Sequence, residues 1–594
     1  MFQRHHYETL IIIADDEPQL GLFQTTTQFN YSNNYKTTAT TTDVIPKLIL
    51  TQDSLHGFES TCNLNSKFLI VLSIPAHTDD TSTGKSNKIL EKFLKIHPKT
   101  LNMKIVVLMK SLQPPSKRDL KDYFLYFKKL QLYDVLVIPI KTNELDIFYT
   151  YTVLPRLEIL TRQFNTLDSS EYFVAQIGNL QQHPLLTYPD QLQPRTLLHY
   201  DKKGQIKMLG YIGRLISTYA QKINASIKFP FPLKINNPLF FTDVLQMTLN
   251  GSLDIPASIA CPNEVEAMKY FSRFIEVGKW FPMLPVADYM IPMDIYYKLL
   301  LQDFGSLFII MLIIYSLFLL LIELLRNLTE SFTSILHKSL INQQVFLGLL
   351  GSSFKMRHSC KYYKSYKFLL ILIQFTGFMM TIFSNTYLTS NITTPPKYPE
   401  INSLDHLQKH NLKILMLQHG LNLLDLYVGD ELKNKYISSI YVIRNVSEFI
   451  ELRNNFNKSA AYAVSSSLWS IYEKQQMYFS EKIVRYSKHL YFSNLMIYAL
   501  PLPANSIFER SLNKFIGELL SAGILQHWYK SSFYDMIETG HMSFRDMSNA
   551  REYNKVQFGD FKILWLVCAS GLMASCLVFI IELIVYKLKL NTHK

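Results

Sequence analysis

The chain is 594 residues long, so at ~100–200 residues per domain it holds several structural units around separate cores. Apolar residues make up 48% and charged residues only 18%, with 20 Gly and 24 Pro, which excludes disordered, collagen-like and linker-type chains. Five cysteines without a CxxC pair exclude a disulfide scaffold and a cysteine zinc site, and a formal charge of +13 points to nucleic acid or to an anionic membrane surface.

Residues 1–185 read as an α/β domain. SKFLIVLSI (66–74), MKIVVLM (103–109) and DVLVIPI (134–140) are short, apolar, β-rich runs, and KSNKILEKFLKI (85–96) and KRDLKDYFLYFKKL (117–130) carry helical spacing between them. That alternation predicts a parallel sheet covered by helices. STGKS (82–86) is not a phosphate loop, because Asp79 stands where that motif needs its first glycine. The next block, 186–303, runs through a strand, a helix around Leu209–Lys222 and GSLDIPASIA (251–260).

Residues 304–390 form a predicted membrane domain. Ser306–Leu325 is apolar apart from Glu323, Phe368–Leu388 carries no charge, and near the C-terminus Ile563–Tyr586 carries only Glu582. Each has the ~20-residue length that spans a bilayer. Glu323 and Glu582 lie close to span ends, where snorkelling accounts for them. Residues 326–367 hold seven Lys/Arg against Glu330 alone, and Lys587, Lys589 and Lys594 follow the last span. The positive-inside rule places both segments in the cytoplasm and the large remaining segments outside. The basic excess thereby falls largely beside spans, and nucleic acid is not needed to explain it. Sequons at Asn30, Asn224, Asn250, Asn391, Asn445 and Asn457 fall on the outer side and only Asn327 inside; Asn391 stands close to the membrane, so glycosylation is expected at the other five outer sites. An outer N-terminus calls for a signal peptide, yet MFQRHHYETLIIIADDEP has only a short apolar run, so the expectation is a start missing from this chain.

Ser334–Phe354, inside the basic loop, is moderately apolar with two glycines and too short to cross twice as helix. It fits a re-entrant hairpin lining a pore, and it fits equally an amphipathic helix on the inner surface. The outer block 391–560 carries KILML (413–417), AAYAV (460–464) and NLMIYAL (494–500) with helices between, and 561–594 supplies the last span and a short tail. Together with 186–303, the outer block predicts a periplasmic-binding-protein-like bilobed clamshell interrupted by the membrane domain. The fold class expected is therefore α/β plus transmembrane α-helical.

This order resembles the ionotropic glutamate receptor superfamily, in particular its divergent chemosensory branch, the variant ionotropic receptors of arthropods, over about residues 195–590. GSLDIPASIA followed by KYFSRF (269–274) is similar to the family's "G-x-x-D-I-A … F-S" segment, and EINSLDHL (400–407) resembles the start of its second lobe. SNTYLTSNITTP (384–395) stands where the family's gate helix ends, and YALPLPANSIFERSLNKFIGELLSAGILQHWYKSSF (498–533) is similar to its most specific stretch. The resemblance implies a chemosensory, ligand-gated, non-selective cation channel subunit of the plasma membrane, not an enzyme and without cofactor. It would respond to a small-molecule stimulus and work with co-receptor subunits in a tetramer. The implied ligand cleft includes Ser258, Cys261, Glu264, Glu266, His419, Ser465 and Ser466; the pore loop Gln343, Gln344 and Gly351; the gate Tyr387, Thr389 and Ser390.

Three departures bear on the ligand. The arginine that takes an α-carboxylate in glutamate-binding members would fall in PNEVEAM (262–268), which has no basic residue; the acid that holds the amino group would fall near Ser465; and the second lobe has no cysteine for the family disulfide. Cys62 and Cys261 both lie on the outer side, with nothing in the sequence to bring them together. Glutamate is therefore not the expected agonist, and a neutral or cationic ligand, or one unlike an amino acid, is. The alternative is a membrane-tethered binding or transport protein that uses the same clamshell without conducting ions.

Overall fold

A computed structural model describes residues 9–13, 47–50, 68–74, 83–96, 103–110, 115–140, 147–164, 172–262, 265–326, 343–354, 364–427, 430–548 and 558–592. The chain forms two compact units, one of residues 1–285 with 402–548 and one of 286–401 with 549–594.

The N-terminal part of the first unit is a seven-stranded sheet of β1 (Thr9–Ile13), β2 (Lys47–Leu50), β3 (Phe68–Ile74), β4 (Lys104–Lys110), β5 (Asp134–Ile140), β6 (Ile147–Thr152) and β7 (Glu158–Gln163), in the order 2-1-3-4-5-6-7. Strands β1 to β5 pair in parallel; β6 and β7 are antiparallel additions. Parallel strands are covered on both faces, which is why they read as near-continuous apolar runs. Helices α1 (Thr83–Ile96) and α2 (Lys117–Lys129) lay Ile89, Leu90, Phe93, Leu120, Phe124 and Phe127 into the core on one face. Ser116 caps α2 by accepting a hydrogen bond from the Asp119 amide. The apolar run near the N-terminus is an interior strand of this sheet, with Ile11, Ile12 and Ile13 fully buried.

From β8 (Pro184–Leu186) the chain makes the hairpin β9 (Leu197–Tyr200) and β10 (Ile206–Leu209), then α3 (Gly210–Lys222), β11 (Ser226–Lys228) parallel to β8, α4 (Phe241–Leu249) and β12 (Glu276–Pro285). Gly210 opens α3 at φ +79°, and a β-carbon there would stand 2.5 Å from the Arg195 carbonyl oxygen. The bond from the Ile212 amide to that same carbonyl fixes where Arg195 sits.

In the second unit α5 (Pro292–Tyr297) continues through a π-helical turn, Lys298–Asp303, into α6 (Phe304–Arg326), followed by the short α7 (Gln343–Leu349) and the long α8 (Lys364–Thr393). The segments flanking these helices pair as a short ribbon, with the Met290 amide on the Pro396 carbonyl and the Tyr398 amide on that of Asp288.

Back in the first unit come α9 (Leu404–Lys409), β13 (Ile414–Leu417), α10 (Gln418–Tyr427), α11 (Asp430–Ile437), β14 (Ile440–Ile443), α12 (Val446–Asn454), β15 (Ala461–Ser465), α13 (Ser466–Gln476), β16 (Val484–Tyr486), β17 (Ser493–Tyr498), α14 (Glu509–Ser521) and α15 (Ile524–Glu538). The second sheet has the order β14-β13-β15-β12-β16, with β17 also on β12. Its core packs Phe281 and Met283 against Tyr462, Val464, Leu468, Trp469 and Tyr472. The packing crosses the boundaries expected from sequence: β12 leaves the 186–303 block to join a sheet built from residues after 402, while Asp535 on α15 binds Arg214 on α3. The chain ends in α16 (Lys562–Thr592).

Among the described residues three helices are long and apolar enough to cross a membrane: α6 over Phe304–Ile322, α8 over Lys364–Thr393 and α16 over Leu564–Val585. Their side chains include many exposed large hydrophobics, such as Ile313, Phe318, Phe368, Phe383, Leu572 and Phe579. These segments are membrane-associating by composition.

Candidate functional site

Two neighbouring strands carry the chain between the α3/α14/α15 helices and the second sheet: β12, entering at Glu276, and β17, leaving at Tyr498, which are register partners. Their junction is stitched by the Ile275 amide to the Tyr498 carbonyl and by reciprocal backbone bonds between Ala260 and Ala499. Arg195 lies on this junction, only 9% exposed, with its guanidinium 4.4 Å from the centre of the Tyr498 ring. Burial opposes the charge, but Tyr211, Glu276, Tyr498 and Asp190 around it more than offset that and raise its pKa. The Tyr211 hydroxyl donates to Glu276 Oε2. Asp190 is fully buried and accepts from Ser258 Oγ at 2.7 Å and from the Leu192 amide; burial nonetheless pushes its pKa up to about 6.

His419 faces the same cluster. Burial, then the Arg195 charge, lower its pKa to about 4, so the imidazole is neutral, and it meets the Phe241 ring edge-on at 3.8 Å. Among the described residues, buried His419 Nε2 and Glu276 Oε1 have no hydrogen-bond partner. Such groups cost free energy unless a ligand or water satisfies them. On the opposite side Ser466 Oγ accepts from the Lys279 amide at 3.0 Å, and a β-carbon on Gly278 would come within 2.6 Å of that oxygen. Ser465 caps α13 through the Leu468 amide and shares a 2.6 Å bond with Ser467. The Ser470 and Tyr529 hydroxyls then link α13 to the Tyr211 ring.

Of the cleft residues expected from sequence, Ser258, His419, Ser465 and Ser466 therefore gather around the β12/β17 junction, and Cys261 is buried close enough to act on Tyr498. Glu264 and the Glu266 side chain lie outside the described residues. Sequence reasoning missed Arg195, Tyr211, Glu276 and Asp190. It sought a cation just after GSLDIPASIA (251–260), whereas the chain supplies one well before it, in LQPRTLL (192–198).

In the second unit, α7 packs between the two spans. Val345 and Leu349 form a cluster with Tyr315 and Leu319 of α6 and with Tyr366, Leu370 and Ile373 of α8. Backbones touch where a glycine faces a glycine: a β-carbon on Gly377 would overlap the Gly348 carbonyl oxygen, and one on Gly348 would stand 2.7 Å from Ile373 Cγ2. Gly351 turns the chain at φ +71° beside Thr381 Oγ1. Gln344 Oε1 accepts from the Tyr366 hydroxyl at 3.0 Å, while Gln343 is exposed at the start of α7. At 1.5 Å per residue, Gly377 and Thr381 lie about 20 and 25 Å along α8 from Lys364. With Gln344 on Tyr366 at the other end of the contact, α7 and its turn run along α8 from its first turn to just past its middle.

The expected gate residues occupy the last turns of α8. Tyr387 binds Asp303 Oδ2 at 3.3 Å and packs on Phe304 at 5.9 Å; Thr389 Oγ1 donates to the Asn385 carbonyl, and the Ser390 carbonyl accepts from Thr394. Among the sequons, Asn250, Asn445 and Asn457 are exposed, Asn445 also capping α12. The Asn224 amide is engaged on both sides by Asn179 and Gln182, and Asn30 lies outside the described residues. Compared with known proteins, the chain matches no family model and no curated sequence.

Proposed function

We propose that the chain is a subunit of a ligand-gated, non-selective cation channel with a chemosensory role. The observation that carries this reading is α7. Backbone at membrane depth that belongs to no spanning helix is tolerated only where protein buries it or water reaches it. A short helix wedged between spans and followed by Gly351, Ser352 and Ser353 suits the lining of an ion pathway, where backbone carbonyls and hydroxyls replace part of an ion's hydration shell. Chemosensory role, cation preference and assembly with co-receptor subunits in a plasma-membrane tetramer rest on the family resemblance.

In this reading the first unit contains the two lobes of a clamshell, hinged at β12 and β17, with Arg195 and its neighbours at the base. A ligand that binds the closed form better shifts the population toward it. Of the three chain links between the units, at Pro285–Val286, Ile401–Asn402 and Ser548–Asn549, closure acts on α6 and α8 through the first two. The ribbon joining Asp288 and Met290 to Pro396 and Tyr398, reinforced by the Tyr398 hydroxyl on Asp294, makes these first two links move together. The π-helical turn Lys298–Asp303 gives α6 a place to bend. Expressing the chain with candidate co-receptor subunits and recording under voltage clamp is the test. A stimulus-evoked current is expected; measurable ligand binding with no current in any combination would leave a tethered binding protein instead.

A further inference from the structure

We propose that a cavity between the Gln191–Leu198 segment and α12 binds a neutral polyhydroxylated molecule, a mono- or disaccharide or a cyclic polyol. To identify that ligand with the stimulus depends on the receptor reading above; the binding itself does not. The cavity measures about 310 Å³, at the lower end of the ~300–1,000 Å³ usual for small-molecule sites. One wall is the segment around Gln191, Gln193 and Leu198 with the turn at Asn236; the other is one face of α12, where Ser447, Glu451 and Asn454 follow at helical spacing.

The polar lining is dominated by carboxamides, and among the described residues no lysine or arginine borders it. A carboxamide presents a donor and an acceptor side by side, as a pair of adjacent hydroxyls does, so the two recognise each other without net charge. Among the described residues Glu451 is the one carboxylate in the lining, and an anion entering would meet it with no lysine or arginine of the lining to compensate. Burial lowers the pKa of His541, which lines the cavity as a neutral ring. Leu197, Leu198 and Ile450 supply apolar surface for the C–H faces of a ring.

The amides are also held in place before any ligand arrives. Gln191, 9% exposed, spends both Nε2 hydrogens on the Lys234 and Asn237 carbonyls at 2.9 and 3.1 Å. Gln193 Oε1 accepts from Asn454 Nδ2 at 2.9 Å, and Asn454 Oδ1 accepts from the Tyr472 hydroxyl, which also takes the Arg453 Nε–H. Their remaining functions, Gln191 Oε1 as acceptor and Gln193 Nε2 as donor, are left for a ligand. Because the Gln193–Asn454 bond already joins the two walls, a ligand bonding to both side chains tightens an existing closure. Immobilised polar groups of this kind lower the entropic cost of binding.

The test uses detergent-solubilised full-length protein with D-glucose, sucrose and myo-inositol as probes, and L-glutamate and choline as charged controls, read by the unfolding midpoint. At least one neutral probe is expected to raise the midpoint saturably at millimolar concentration while both controls leave it unchanged. Gln193→Leu should weaken that response roughly tenfold or more, and so should Asn455→Ala, a change at an exposed position of the lining that leaves the packing intact. No saturable shift with any of the three probes, an equal response to the controls, or indifference to both substitutions overturns the inference. Sugar binding without current would count against the receptor reading alone, whereas current evoked by a charged stimulus without sugar binding would count against this inference alone.

Discussion

Replacing Gly377 with alanine is expected to undo the docking of α7. The new β-carbon would overlap the Gly348 carbonyl oxygen and lie 2.8 Å from Leu349 Cα, so both obstacles are backbone and neither has a rotamer to move away. Overpacking a core commonly costs ~1–3 kcal/mol, and an obstruction by backbone belongs at or above the top of that range. A sharply lower unfolding midpoint of the solubilised protein should result. Gly571→Ala provides the control, since a β-carbon there in α16 meets nothing within 4 Å. If the two alanine variants unfold alike, α7 is not seated as described.

The second large effect is expected at Asp535, which is 2% exposed and ties α15 to α3. One carboxylate oxygen is 2.5 Å from Arg214 Nη2; the other accepts from Arg214 Nε at 3.2 Å and from the Gly210 amide at 3.0 Å. Asp535→Ala strands both the guanidinium and the first amide of α3. Breaking a buried pair costs ~3–5 kcal/mol, but the Arg214 side chain is 35% exposed and regains some hydration, so about 2–3 kcal/mol is expected. The unfolding midpoint should fall accordingly, and Asp535→Asn, which can still accept from Gly210, should lose less. A midpoint for Asp535→Ala within about 0.5 kcal/mol of the parent would show that the pair contributes no more than an ordinary surface contact.

Segments whose signal is local could be read from the sequence alone. Strands β3, β4 and β5 announce themselves because parallel strands are apolar on both faces, and α6, α8 and α16 because a span must be apolar throughout. What escaped is set by contacts between distant residues. Nothing in EVGKWFPMLP (276–285) indicates that it will pair with β15 and β17 more than 170 residues later. The Arg195 cluster draws on positions 190, 211, 276, 419 and 498, which form no motif of their own. The segment 334–354 lies between these cases. Ser334–Phe354 by itself fits a surface helix as well as a re-entrant one, and the re-entrant arrangement we propose rests on Gly348 meeting Gly377, a glycine that in sequence only interrupts an apolar run.

The central claim is that the turn after α7 lines an ion pathway. The most direct measurement is the reaction of a Ser352→Cys variant with a charged, membrane-impermeant thiol reagent, applied to each side of the membrane in turn while stimulus-evoked current is recorded. Reaction from the outer side that depends on the stimulus and blocks the current is the predicted result. Reaction from the cytoplasmic side only, with the current unchanged, would contradict the account.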